Sequence, residues 1–297
     1  MENRYRLRLM LFLQQIWSLL KDTYSEWSKA NAPVLGAALA FYTIFSMAPI
    51  FIIIVAVVGF IVGKESVQIY LVGQLAQFLG QHNAASVMHI IQNSYKLGSG
   101  IKATVIAFIL ILVGSTTAFV MLKNALDTMW GVEISHGGII NIIKSRLSSL
   151  LIVLFVGLII FISMISASII SALHLFLDDY VKIPFAFIAL TNDAVSIIML
   201  AFLFAMLFKI LPDVKISWGD VWMGGAITAV LFALGKYLLG LYLARSSISS
   251  AYGAAGSLVV ILMWVYYSAQ ILFFGAAFTQ VFARKYGSEI IPKEPRH

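Results

Sequence analysis

The 297-residue chain has no cysteine. Disulfides, thiolate metal sites and cysteine nucleophiles are therefore excluded. Charge is also scarce: 11% of residues are Asp, Glu, Lys or Arg, against about 25% in soluble domains. No glycine-rich phosphate loop is present, so ATP-driven work by this chain alone is disfavoured. The carboxylates Asp127, Glu133, Asp178, Asp179, Asp213 and Asp220 fall in separate loops, and no nucleophile stands beside a base. Enzyme activity, a cofactor and a metal site are accordingly not expected. His82 and His89, two isolated histidines without nearby carboxylates, make a poor metal motif.

What is abundant is apolar: 61% of residues are hydrophobic and the mean hydropathy is +0.95. Such a chain belongs in a bilayer, and its length is best counted in spans of roughly 20 residues. The stretches 34–62, 102–122, 147–172, 184–208, 219–243 and 255–283 qualify. The expected fold is an all-α polytopic membrane protein with six transmembrane helices over 34–283, preceded by an N-terminal segment (1–33) and followed by a tail (284–297). The loop 63–101 contains "SVQIYLVGQLAQFLG" and "AASVMHIIQNSY" separated by "GQHN", which reads as an outer helical hairpin. No cleavable signal is expected, because Arg4, Arg6, Arg8, Lys21 and Lys29 interrupt the first 30 residues. These residues have an amphipathic pattern instead. Leu9, Leu13, Ile16, Leu20, Tyr24 and Trp27 form one helical stripe, suited either to the headgroup plane or to docking on the protein's own spans.

Basic residues orient the bundle. One set of flanks holds fourteen lysines and arginines and the other five, so both termini are expected on the cytoplasmic side. The same topology, with anionic headgroups, accounts for the net charge of +7. Membrane lipids, including anionic ones, are the expected partners, and nucleic acid is not.

Within this apolar setting Lys236 stands out. A lysine inside a span costs about 2.5–3.5 kcal/mol on insertion scales, so it needs snorkelling, water or a partner. It lies seven residues from Leu243 at the outer end of its span, about 10 Å, within stretching reach of the interface. The preceding span supplies an alternative in Asp193, nine residues from Pro184 and so about 13 Å deep. The matching depths and the short "KILPDVKISWGD" connection predict that Asp193 and Lys236 face the interior together, with Thr191, Asn192 and Gln270 as further candidates for binding a substrate. Gln270 has an alternative role as structural glue. Ser115, Thr116 and Thr117 have a bland alternative, bonding the preceding helical turn. Pro49 removes a backbone donor and should kink the first span. Gly253 and Gly256 in "SSISSAYGAAGS" supply a hinge or a tight turn. Gly225, Thr228 and Gly240 are expected to share a face with Lys236 that lets a neighbouring helix or a second copy approach closely.

The blocks "GAALAFYTIFSMAPIF", "KNALDTMWGV", "KILPDVKISWGDVWMGGAI" and "YGAAGSLVVILMWVYYSAQILFFGAAF" resemble the YihY/virulence factor BrkB family of bacterial inner-membrane proteins, over residues 30 to 286. The resemblance implies a six-helix bundle in a bacterial cytoplasmic membrane, with Pro49, Asn124, Pro212, Lys236, Tyr252, Gly253, Gly256, Trp264 and Gly275 at family positions. Many relatives carry a glutamate where this chain has Ala277. The ribonuclease BN label also attached to the family is not supported by the scattered carboxylates. Two functions remain: a transporter or lipid translocase with a polar interior for a charged headgroup or small solute, and a non-transporting scaffold that organises lipids or partner proteins.

Overall fold

A computed structural model describes residues 2–79, 101–132, 154–159, 161–162, 165–166, 168–169, 185–245, 252, 255–287 and 290–292. The long elements are α1 (Glu2–Lys29), α2 (Ala32–Val62), α3 (Lys64–Leu79), α4 (Ile101–Met129), α5 (Phe185–Ile210), β1 (Val214–Lys215), α6 (Trp218–Arg245), α7 (Gly256–Tyr286) and β2 (Ile291–Pro292). Among the described residues the architecture is helical apart from one antiparallel pair, in which Val214 faces Pro292 and Lys215 faces Ile291. Where the apolar stretches fall on described residues, those residues are helical. Among the described residues two helices, Trp218–Leu243 and Gly256–Tyr286, are individually long and apolar enough to cross a membrane. A third candidate is the bent pair Leu13–Lys29 and Ala32–Met47.

The bend between α1 and α2 is 60° and has a local cause. Asn31 adopts a left-handed conformation, φ 52°, which asparagine tolerates better than most residues. Pro33 then starts α2 where a missing N–H is harmless. α3 is the first arm of the expected outer hairpin; its second arm, with His82 and His89, lies outside the described residues. α4 runs past the expected boundary at 122 to Met129, so Lys123 and Asp127 prolong the helix instead of ending it. Its stop is a Schellman turn: the Val132 N–H donates to the Asp127 carbonyl and the Gly131 N–H to that of Thr128, with Gly131 at φ 69°. Gly131→Ala should therefore cost about 1–2 kcal/mol, read as a lowered unfolding midpoint in detergent.

α6 begins with a cap, the Asp220 N–H donating to Ser217 Oγ at 3.3 Å. The principal core gathers Leu126 from α4 and Trp130 from the turn that follows it, Phe204 and Phe208 from α5, and Phe273 from α7. α5 packs on α6, α2 on α4, and α7 on both α6 and α2. Gly225 lets α6 approach α5, where an added Cβ would sit 2.6 Å from the Ala201 carbonyl oxygen. Thr228 points instead at Gly275 of α7, and among the described residues nothing lies within 4 Å of a Cβ built on Gly240. The expected common small-residue face is therefore split between two partners, because residues three apart on a helix are turned about 60° from one another.

Pro49 divides the apolar run of α2 into Ala32–Met47 and Pro49–Val62. Opposite it, an added Cβ on Gly114 would lie 2.7 Å from Pro49 Cγ. One turn away the Ala118 N–H donates to Ser46 Oγ at 3.2 Å. The proline therefore sits in a glycine notch of α4.

Candidate functional site

Lys236 is half-buried on α6. Steps of four and three place it in one stripe with Phe232 and Leu239. Leu239 is buried against Val260, Ile261 and Trp264 of α7, and Phe232 joins the same cluster. The residues facing away, Leu234, Tyr237, Leu238 and Leu241, are exposed. Lys236 thus belongs to the inward stripe of its helix.

Helix register sets what lies across from it. Gly225 abuts Ala201 and Ala205 of antiparallel α5, and Lys236 is eleven residues further along α6, so it comes level with residues 190–194 of α5. The ring contact between Phe204 and Phe232 extends that window to residue 200. Asp193 is inside it. The side chains of Thr191, Asn192 and Asp193 lie outside the described residues, as do Gly253 and the side chain of Ser115.

Gln270 bridges elements. Its Nε2 donates to the Ala32 carbonyl at 3.3 Å, tying α7 to the start of α2. Gly36 makes room, since a Cβ there would overlap that nitrogen. Thr116 and Thr117 both donate to the Val113 carbonyl, at 3.1 and 2.6 Å, the bland role for hydroxyls in a span. Gly256 is the buried first residue of α7, and Ala277 is fully buried. A glutamate at 277 would need a partner in a packed interior.

Beside Gln270 a groove of about 350 Å³ runs between α6 and α7, lined by Trp27, Leu231, Leu234, Leu238, Tyr267 and Phe274. Its walls are almost wholly apolar. The Trp27 Nε1 and Gln270 Oε1 atoms are buried without a hydrogen-bond partner among the described residues.

A second charged constellation was not expected. Lys123 Nζ lies 2.7 Å from Asp127 Oδ2 and 2.5 Å from Asp213 Oδ2, and the Asp213 N–H donates to Asp127 Oδ1 at 2.7 Å. Two carboxylates that the sequence assigns to separate loops thus converge on one cation, correcting the reading that they do not assemble. Lys123 and Asp127 stand four apart, a recognisable helical ion pair; Asp213 arrives from 90 residues away, which no local pattern reveals. Burial pushes the Asp127 carboxyl above its ordinary range, although Lys123 and the Asp213 N–H pull it down. Burial also depresses Lys123, but its two carboxylates outweigh that and leave it raised. The lysine offsets one of the two negative charges and is held by both carboxylates, which points to a structural clamp between α4 and the α5–α6 connection. The adjoining Lys209 donates to the Ile216 carbonyl, and its Nζ is 5.4 Å from the Trp218 ring centre.

Residues 23–297 match the family model described as Virulence factor BrkB. A UPF0761 membrane protein of Ralstonia nicotianae is 25% identical over 252 residues, covering 83% of this chain and 54% of its own length. One from Psychrobacter is 23% identical over 295 residues, with coverage of 97% and 53%. A Delftia acidovorans relative is 34% identical over a shorter 88 residues, 29% of this chain and 21% of its own. The chain spans about half the length of the first two. No solved structure matches it.

Proposed function

The chain belongs to the virulence factor BrkB family, whose relatives are membrane proteins, and from that premise we propose that it is a six-span transporter of the bacterial cytoplasmic membrane that moves an anionic lipid or a small charged solute. On the charge asymmetry of the flanks, both termini of this proposed transporter lie in the cytoplasm. The observation that carries this reading is the position of Lys236, on the stripe of α6 that packs inward and level with Asp193 of α5. A charge held at such depth is costly, and a stable core has no need of one, because an apolar side chain of similar volume is often neutral or better there. Its use is then to meet a charge that passes. Asp193, with Thr191 and Asn192 beside it, offers the lysine a partner between passages. An ammonium group paired with a carboxylate can exchange that carboxylate for a phosphate oxygen without ever being left bare. Gln270, by contrast, is assigned to holding the α1–α2 elbow.

The test is transport in liposomes carrying fluorescent phosphatidylglycerol, with phosphatidylcholine and small anions as further cargoes. A charge-assisted hydrogen bond is worth about 1.5–3 kcal/mol, so Lys236→Met should slow movement of the anionic cargo by roughly tenfold or more, while Lys236→Arg retains much of it. Equal rates in all three proteins, or no movement of any cargo, would favour the non-transporting scaffold.

A further inference from the structure

α1 presents its two faces the wrong way round for a helix docked on a protein core. The side turned toward α7 is polar: Lys285 Nζ contacts Asp22 Oδ2 at 2.5 Å and donates to Ser18 Oγ at 2.8 Å, and Arg284 lies 3.7 Å from Glu26. The apolar stripe points outward, with Leu13 55%, Trp17 71% and Tyr24 61% exposed. Trp17 and Asp22 are five residues apart, about 140° around the helix, so the ion pairs hold the stripe away from the bundle. Among the described residues Leu13, Trp17 and Tyr24 do not dock on the protein's own spans, whereas Trp27, at the end of the stripe, packs on the core.

Two observations say what covers this face. Arg284 and Lys285 form the last turn of α7, a helix long and apolar enough to cross the bilayer. Basic residues at such an end sit at headgroup level, and ion pairs to them hold α1 at that height. The 60° bend at Asn31 then turns α1 away from the direction of α2 and toward the membrane plane. At that height and tilt, the neighbour of the outward stripe is lipid. The composition agrees: Trp17 and Tyr24 are residues of the interfacial belt, and Arg4, Arg6 and Arg8 supply the basic charge typical of surface-lying helices.

We propose that α1 is an interfacial helix whose stripe of Leu13, Trp17, Leu20 and Tyr24 is seated in the leaflet at the basic end of α7, with Lys285 and Arg284 setting its rotation. This assignment stands independently of any transported cargo.

The absence of cysteine makes the test direct. Single-cysteine variants Leu13→Cys, Trp17→Cys, Tyr24→Cys and, on the polar side, Gln15→Cys are spin-labelled in the full chain. They are then reconstituted into vesicles of phosphatidylethanolamine and phosphatidylglycerol. Oxygen should relax the labels at 13, 17 and 24 several-fold more than a water-soluble nickel complex does, and the preference should reverse at 15. Nickel preference at 17 and 24 would overturn the proposal by placing the stripe in water. Dipolar broadening between labels at 17 would overturn it in favour of a second copy covering the face.

Discussion

Asp127→Ala should lower stability by about 3 kcal/mol, the lower end of the range for breaking a buried ion pair. The residue is 3% exposed, and both carboxylate oxygens are engaged, Oδ2 by Lys123 and Oδ1 by the Asp213 N–H. Removing the carboxylate strands that N–H, an orphan worth about 1–3 kcal/mol, and takes one of two partners from Lys123. Asp213 keeps the lysine from being fully uncompensated, which sets the effect at the lower end. Asp127→Asn separates the contributions. Its amide oxygen still accepts from Asp213, while the charge is gone.

The sign of the pH effect follows from the direction of the shift. A carboxyl raised by burial binds its proton more tightly in the folded chain than in the unfolded one, so its contribution to stability falls as pH climbs from the ordinary carboxylate range through the folded value. The asparagine variant lacks that decline. Unfolding midpoints in detergent, measured across the acidic range, should therefore show the gap between wild type and Asp127→Asn changing in favour of the variant as pH rises, with Asp127→Ala lowest throughout. A flat gap would mean that Asp127 is not held under this burial pressure.

The contrast between this clamp and the spans explains what a sequence can disclose. Apolar length and helical spacing are one-dimensional quantities, and the all-α character, the long apolar helices among the described residues and the N-terminal helix were legible from them. The stop of α4 was not placed, because Lys123 resembles the end of a span yet continues the helix to an ion pair one turn on. The direction of the α1 stripe was also out of reach. Its pattern marks two faces, but which one meets the protein depends on Asp22 and Glu26 finding Lys285 and Arg284 from the far end of the chain. Lys236 was visible as an anomaly of composition. Its inward rotation needed Phe232 and Leu239 to be seen against α7.

Gly275→Ala is expected to destabilise the bundle by about 1–3 kcal/mol, the usual penalty for overpacking, and Thr228→Gly should restore part of the loss. The reason is a reciprocal fit between α6 and α7. Thr228 of α6 rests on Gly275 of α7, and Thr279 of α7 rests on Gly224 of α6; a Cβ on either glycine would overlap the opposing threonine hydroxyl. Each threonine also donates to the carbonyl of the glycine one turn back in its own helix, Thr228 to Gly224 at 2.6 Å and Thr279 to Gly275 at 2.7 Å. The hydroxyls are thus satisfied internally while their side chains fill the notch across the interface, an arrangement suited to lipid, where small residues permit close packing. Sequence alone offers the spacing Gly224 to Thr228 and Gly275 to Thr279 but not the register that interlocks them. Rescue follows from which atoms obstruct the new methyl. All three near neighbours of a Cβ at 275 belong to the Thr228 side chain, including its Cβ at 2.9 Å, so Thr228→Ala should relieve less than Thr228→Gly, which clears the space entirely at about 1 kcal/mol of helix propensity. In a double-mutant cycle by detergent unfolding, the coupling between 228 and 275 should favour the double variant by about 0.5–3 kcal/mol. Strict additivity would mean that the two helices do not meet in this register, and the placement of Lys236 relative to α7 would have to be rebuilt with it.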